Sequence, residues 1–172
     1  MTVQLQSLLD EALETWTFTR DGVIQEVETI PADRFDWRPA PGFRTVAELV
    51  RHIIESALMA AGELTRPDGD FQRVPFPEFI REYASGVAAV VGKDALLALL
   101  RSSHREVEQR FRDAGELAVL QYIRRFDGVR GTRLAWLWHA VDHESYHRGQ
   151  LALIVRTLGK VPALTRMIHG ES

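Results

Sequence analysis

The stretch TRLAWLWHAVDHESYHRGQLALIVRTL, residues 132 to 158, is predicted to form one long helix near the end of the chain. No proline interrupts it, and Gly159 follows it in the position where a left-handed glycine commonly ends a helix. Three histidines recur at intervals of four within it: His139, His143 and His147. On a helical wheel they share a stripe with Trp136 and Ile154. We therefore expect this stripe to face the interior of a helical bundle.

Apolar residues spaced by three and four predict three further long helices upstream, over residues 3–29, 45–64 and 94–113, and a shorter one over 78–84. The second begins at a Thr45-x-x-Glu48 capping box. Residues 116–130 are expected to be irregular, with a turn of helix near Leu120, and the tail to residue 172 is expected to pack loosely. No segment shows the alternation of a strand. The sequence thus predicts an all-α fold: one domain over residues 1–172, built as a four-helix bundle with extra short helices in its connections and at least one crossover connection.

The bulk composition excludes several classes of partner. The chain of 172 residues has a net charge of −3, which gives no electrostatic case for nucleic acid or an anionic membrane surface. No apolar run approaches the ~20 residues of a membrane span, and the N-terminus lacks the basic start of a signal peptide. The chain has no cysteine, which removes disulfides, cysteine nucleophiles and cysteine-based zinc sites. We expect a cytoplasmic protein.

The spacing of the histidines favours a metal site. Side chains four residues apart on a helix can reach one cation, because one turn is only about 5.4 Å. His139 and His147 are about 12 Å apart along the axis, so one adjacent pair binds and another helix supplies the remaining ligand. His52, in the second helix, is in a position to do so. His104 lies in a charged run and is expected to face solvent, and His169 has no motif around it.

The segment from His143 to His147 also reads as H-E-x-x-H, the signature of zinc proteases, in which the glutamate acts as general base. Several features oppose a protease. The longer form of the signature requires glycine and histidine at positions held here by Gln150 and Leu153. A downstream glutamate ligand would have to be Glu171, and no strand is evident to align a peptide. We therefore expect Glu144 to lie on the helix surface or to support a metal ligand.

Two segments carry a family resemblance. HAVDHESYHRGQL (139–151) resembles the fourth-helix motif of the DinB/YfiT-like metal-dependent proteins, and RTVAELVRHIIES (44–56) resembles their second-helix segment after a Pro-Gly loop. The stretch from Asp33 to Pro41 also has the look of this family. The resemblance implies a four-helix bundle of DinB type, often a homodimer, and a divalent metal held by His52, His143 and His147. His139 would be a neighbour, and Asp142 stands where the family usually has asparagine.

Three imidazoles leave open positions on a metal, which is typical of catalysis, and they suit zinc or nickel. The family resemblance favours an S-transferase that uses a low-molecular-weight thiol with a small electrophile as substrate. A metal-dependent hydrolase of a small substrate and a non-catalytic metal-binding stress-response protein remain alternatives. Five residues are candidates to orient the ligands or move protons: Glu48, Glu55, His139, Tyr146 and Gln150. Arg148 and Gly149 are expected to serve helix packing or a partner contact, with Gly149 marking a close approach of backbones.

Overall fold

The computed structural model describes residues 7–170. The long helices are α1 (Leu8–Thr29), α2 (Val46–Thr65), α4 (Lys93–Ala114) and α6 (Arg133–Thr157). The shorter elements are helices α3 (Phe76–Ala84), α5 (Glu116–Val119) and α7 (Ala163–His169), strands β1 (Tyr122–Arg124) and β2 (Arg130–Thr132), and single 3-10 turns at Ala32–Arg34 and Val87–Ala89. The predicted all-α four-helix bundle with short helices in its connections is confirmed. The predicted start of the first helix at residue 3 and the protease ligand Glu171 lie outside the described residues. None of the described helices is both long and apolar enough to cross a membrane.

The four long helices do not follow one another around the bundle. α1 packs against α4 and α6, and α2 packs against the same two helices. Consecutive helices α1 and α2 therefore occupy opposite corners, as do α4 and α6, which confirms the predicted crossover. For the site, the consequence is that α2 and α6 are neighbours although a long stretch of sequence separates them.

Local capping groups define the start of both helices that carry the histidines and the end of α6. At the start of α2, Glu48 accepts from the Thr45 amide at 2.7 Å and Thr45 Oγ1 accepts from the Glu48 amide at 3.1 Å, which is the predicted capping box. At the start of α6, Thr132 Oγ1 accepts from the Ala135 amide at 3.2 Å. Gly159 follows α6 with φ of +73°, a value that glycine adopts without strain.

A buried arginine sets the register between α2 and α6. The Arg133 guanidinium donates to the carbonyls of Leu64, Arg66 and Pro67 at 2.7 to 3.0 Å, and these carbonyls end α2. Arg133 is 3% exposed. His52 lies twelve residues before Leu64, and His143 and His147 follow Arg133 by ten and fourteen residues. All three are thus about 15–21 Å along their helices from this anchor, which brings them to one level.

The connections and the tail contain two differences from the sequence-based expectations. Residues 122–132 form a hairpin, with Ile123 opposite Gly131, although no strand was expected. Each strand has only three residues, too few for alternation to stand out. The turn of helix predicted near Leu120 is confirmed as α5, which ends at Val119. The tail is not loose, because α7 is fastened to α1 through the Ala163 amide, which donates to Glu26 Oε1 at 2.8 Å.

The buried face of α6 is rotated relative to the predicted one. Its centre is formed by Val141, Glu144 and Leu151, roughly 100° around the helix from His143. The histidine stripe therefore lies at the edge of the buried face, on the side of α2, and His139 is exposed. The wheel prediction was wrong because it assigned the charged Glu144 to the outside.

The two packing residues predicted on α6 behave differently. Arg148 lies over the Phe18 ring, 5.3 Å from its centroid, and a Cβ at Gly22 would come within 2.2 Å of the Arg148 guanidinium carbon. Gly22 thus makes room for this arginine between α1 and α6. Gly149 is exposed, and a Cβ there would meet nothing within 4 Å. No backbone within the described part of this chain approaches Gly149 closely, so its predicted role in packing within the bundle was wrong, and a partner contact there remains a prediction.

Candidate metal centre

The structure brings together the imidazoles of His52, His143 and His147, referred to below as the histidine triad. The ring centroids are 5.1 Å apart for His52 and His143, 4.8 Å for His52 and His147, and 4.5 Å for His143 and His147. One nitrogen from each ring lies within 4.8 Å of the other two. Within residues 7–170 no other group of three or more histidine or acidic side chains has the geometry to hold a metal ion.

The surroundings of the triad favour neutral imidazoles. Burial, together with the positive charge of Arg44 and the other two rings, lowers the pKa of His52 to about 4. Burial and the neighbouring His147 and His139 likewise lower the pKa of His143 to about 4. The pKa of His147 is lowered by burial, against a hydrogen bond to Gln150 that raises it. All three rings therefore keep free nitrogen lone pairs at neutral pH, as metal ligands must.

The hydrogen bonds of His147 orient a nitrogen toward the centre of the triad. Gln150 Oε1 accepts from His147 Nδ1 at 2.9 Å, which leaves the Nε2 lone pair facing His143 Nε2 at 3.1 Å. Two nitrogens bound to one tetrahedral ion at about 2.0–2.1 Å would be about 3.3 Å apart. The triad therefore fits a divalent metal in both the chemistry and the spacing of its donors.

The five candidates to orient the ligands or move protons differ in whether they contact the triad. Glu48 is part of the capping box, where the Thr45 amide lowers its pKa. Glu55, one turn after His52, is half-buried, and burial raises its pKa. The Tyr146 ring contacts His147 at 5.1 Å between centroids but is 64% exposed. His139 stacks on Trp136 at 4.3 Å. Gln150 is the candidate that hydrogen-bonds to the triad directly.

Glu144 does not lie on the helix surface. It is 2% exposed and forms an ion pair with the fully buried Arg20, whose Nε and Nη2 donate at 2.5 and 2.8 Å. Trp16 Nε1 donates to the same carboxylate at 2.8 Å. Both carboxylate oxygens are therefore engaged by α1, so Glu144 joins α6 to α1 and is not free to act as the general base of a protease.

The prediction of a solvent-facing His104 was also wrong. Its side chain is 6% exposed, its Nε2 lies 3.0 Å from Thr17 Oγ1, and burial lowers its pKa to about 4. The charges around it in sequence lie on the outer faces of α4, while His104 shares the inner face with Leu100, Val107 and Phe111. The spacing of these apolar residues was the signal that could have placed it inside.

An apolar cavity and a larger groove lie next to the triad. Both are lined by residues that were not predicted from the sequence. The apolar cavity has a volume of about 200 Å³ and is lined by His52 and His143 together with Phe76, Phe126 and Trp136. A larger groove of about 510 Å³ on the side of Gln150 contains Arg44, Phe43 and Leu49. Arg44 and Phe126 come from a loop and a hairpin turn, where periodicity gives no orientation.

Comparisons with known proteins agree with this geometry. A family model described as DinB superfamily matches residues 15–151. YfiT from Bacillus subtilis, described as a probable metal-dependent hydrolase with an unusual four-helix bundle topology, aligns with a TM-score of 0.69 and 16% identity over 93% of each chain. A DinB-like protein from the same organism aligns with a TM-score of 0.67 and 22% identity, over 88% of this chain and 93% of that chain.

A mycothiol-dependent maleylpyruvate isomerase is also similar, with a TM-score of 0.66 and 17% identity. The alignment covers 86% of this chain but only 63% of the isomerase, so this chain spans less than two thirds of that enzyme. No curated protein sequence matches the chain. The structural similarities show the fold, and the family match extends over most of the chain. The chain therefore belongs to the DinB superfamily.

Proposed function

We propose that this protein is a divalent-metal-dependent enzyme, with zinc or nickel as its ion, that transfers a low-molecular-weight thiol to small electrophiles. The observation that carries the proposal is the histidine triad: three neutral imidazoles from two helices meet, and two of them line a cavity. Three protein ligands leave open positions on a metal ion, whereas structural sites are usually closed by four.

An ion bound at the triad would lower the pKa of a coordinated thiol or water. The residues of the chain provide the setting. His52, His143 and His147 would hold the ion, Gln150 keeps the His147 ring in one orientation, and the apolar cavity excludes water from the electrophile. In the transfer, the thiol loses its proton to solvent, its sulfur forms a bond to the electrophilic carbon, and the leaving group departs with the electrons of the bond that breaks.

The similarity to the isomerase, which is described as mycothiol-dependent, supports a thiol as co-substrate. The absence of cysteine is compatible with this, because the sulfur comes from the co-substrate. Low-molecular-weight thiols are reduced in the cytoplasm, which is the compartment we propose. The homodimer that the resemblance implies remains a prediction, which light scattering on the purified protein tests.

Hydrolysis is the second candidate function. It is favoured by the likeness to YfiT, the probable metal-dependent hydrolase, and by the fact that the same open positions accept water. A metal-binding stress-response role without turnover is the third. The cavity beside the triad argues against this role, because a purely structural ion needs no adjoining space for a substrate.

The first test measures metal content by elemental analysis of protein purified without a metal-binding tag. We expect about one divalent ion per chain in the native protein and little in His52→Ala or His147→Ala. His139→Ala is the matched control, since it removes a histidine from the same helix outside the triad and should keep its metal. Full metal content in His147→Ala, with far-ultraviolet circular dichroism unchanged, would remove that residue from the site.

The second test separates the reaction classes. The metal-loaded protein is incubated with monochlorobimane and each of several low-molecular-weight thiols, and conjugate fluorescence is followed alongside hydrolysis of ester and amide substrates. A thiol-dependent rate that disappears in His147→Ala supports the transferase. Ester or amide cleavage without a thiol-dependent rate would favour the hydrolase, and neither reaction with any substrate would favour the non-catalytic role.

A further inference from the structure

We propose that the apolar cavity is a binding site for a neutral aromatic ring, so that the electrophile is a small uncharged arene with its reactive carbon directly attached to the ring. The role of the ring as electrophile rests on the proposed function. The binding of a neutral ring does not, because it follows from the walls of the cavity alone.

The size of the cavity fits one ring. Its volume is about 200 Å³. For comparison, a cavity of about 150 Å³ lined by aliphatic and phenyl side chains in another protein remains dry and takes up benzene. A monocyclic arene with one small substituent therefore matches the volume of the apolar cavity.

The walls of the cavity are apolar and largely aromatic. Phe76, Phe126 and Trp136 form one side, with ring centroids 6.0 Å apart for Phe76 and Phe126 and 6.2 Å apart for Phe126 and Trp136. Aliphatic side chains from α2 and α6 form the other: Ile53, Ala57, Met59, Ala60 and Ala140. Rings at these separations pack edge-to-face or offset, and a planar ligand can extend the same arrangement.

The charges around the cavity select against an anionic ligand. No lysine or arginine is among the described residues that line it. The one carboxylate there, Glu144, is already paired with Arg20. An anionic group held in the cavity away from the triad would lose its hydration without gaining a positive partner, at a cost of several kcal/mol. Arg44, whose charge acts on His52, lines the other groove. Arg125, which lies over the Trp136 ring, is paired with Asp127.

The residues that line the cavity orient the substituent of a bound ring toward the triad. Phe76 and Phe126 are 45% and 39% exposed, so they form the rim that faces solvent. His52 and His143 belong to the same lining and are half-buried. A ring held by the aromatic side would therefore present a substituent to the triad. For a benzyl halide and a thiol, the C–S bond forms at the benzylic carbon while the C–halogen bond breaks, and halide leaves with the electron pair.

The test measures binding without turnover, by ¹⁹F NMR of the full chain in EDTA, so that no carboxylate can coordinate a metal. The two probes are para-fluorobenzyl alcohol and para-fluorobenzoate, which share a ring and differ in charge. We expect the alcohol to bind at least about tenfold more tightly than the benzoate. Failure of the alcohol to bind, or equal binding of the two probes, would overturn the proposal.

Variants locate the binding. Ala140→Phe fills the cavity and should weaken alcohol binding by about tenfold or more. Ala135→Phe adds the same side chain on the exposed face of α6 and should leave it unchanged. Phe126→Ala removes part of the rim and is expected to weaken binding about threefold or more, which provides a measurement if Ala140→Phe does not fold. Equal binding by the native protein and by every folded cavity variant would place the ring elsewhere and refute the proposal.

The outcome separates this inference from the proposed function. Alcohol binding without any thiol-dependent reaction would keep the apolar ring site and reject the transferase. Thiol-dependent turnover without alcohol binding would keep the transferase and reject a neutral arene as its substrate.

Discussion

Replacing Glu144 by leucine is expected to destabilise the protein strongly. The substitution leaves the Arg20 guanidinium, which is 0% exposed, without its carboxylate partner, and it leaves Trp16 Nε1 without an acceptor. Breaking a buried ion pair from one side typically costs about 3–5 kcal/mol, because the remaining charge has lost its hydration. For a chain of this length the corresponding fall in melting temperature is about 6–20 °C.

The measurement is urea unfolding followed by circular dichroism, with the protein saturated with zinc and again in EDTA. Two further variants serve as controls. The double variant Arg20→Met/Glu144→Leu removes both charges and should recover most of the lost free energy of unfolding. Glu106→Ala breaks the exposed pair between Glu106 and Arg110, 2.9 Å apart on α4, and should cost only about 0.3–0.5 kcal/mol.

Glu144 is a structural link between α1 and α6. This role would be refuted if Glu144→Gln lost less than about 1 kcal/mol of stability and kept its metal but lost all activity. That result would show that Glu144 acts in catalysis, and it would support the protease interpretation of the H-E-x-x-H segment.

Three further predictions concern the packing around the site. The pKa of His104 is about 4 in the folded protein and 6.5 when unperturbed, so the unfolded state binds the extra proton between these values. Stability in EDTA should therefore fall as the pH decreases from about 6.5 toward 4, and urea unfolding of His104→Leu should show a smaller fall. Gly149→Ala, with open space around its Cβ, should raise the free energy of unfolding by about 0.5–1 kcal/mol, whereas Gly62→Ala, whose Cβ would lie 2.3 Å from the Tyr83 ring, should lower it by about 1–3 kcal/mol. Arg133→Met removes the donor to three carbonyls at the end of α2 and should cost about 2–4 kcal/mol, measured in the same way, and a loss below about 0.5 kcal/mol would contradict the anchoring role of Arg133.

Local patterns in the sequence predict the helices, and the family motifs predict which histidines form the triad. The capping box at Thr45 and Glu48 and the glycine at 159 mark helix ends by chemistry that acts within a few residues, so these boundaries could be predicted. The family motifs pointed to His52, His143 and His147, and the structure brings these three rings together. The hairpin over residues 122–132 was missed because strands of three residues carry too little pattern.

Residues one or two turns apart are enough to specify the four amphipathic helices, their ends and the interval of four between the histidines, so these features could be predicted without the fold. Contacts between helices set the rotation of each helix about its axis and the partners of its side chains. Glu144 and His104 are buried because Arg20 and Thr17, far away in the chain, supply their partners. The apolar cavity likewise exists only where the hairpin carries Phe126 to Trp136. A charged or polar side chain is placed inside or outside by partners that lie far away in the sequence, and no local pattern contains them.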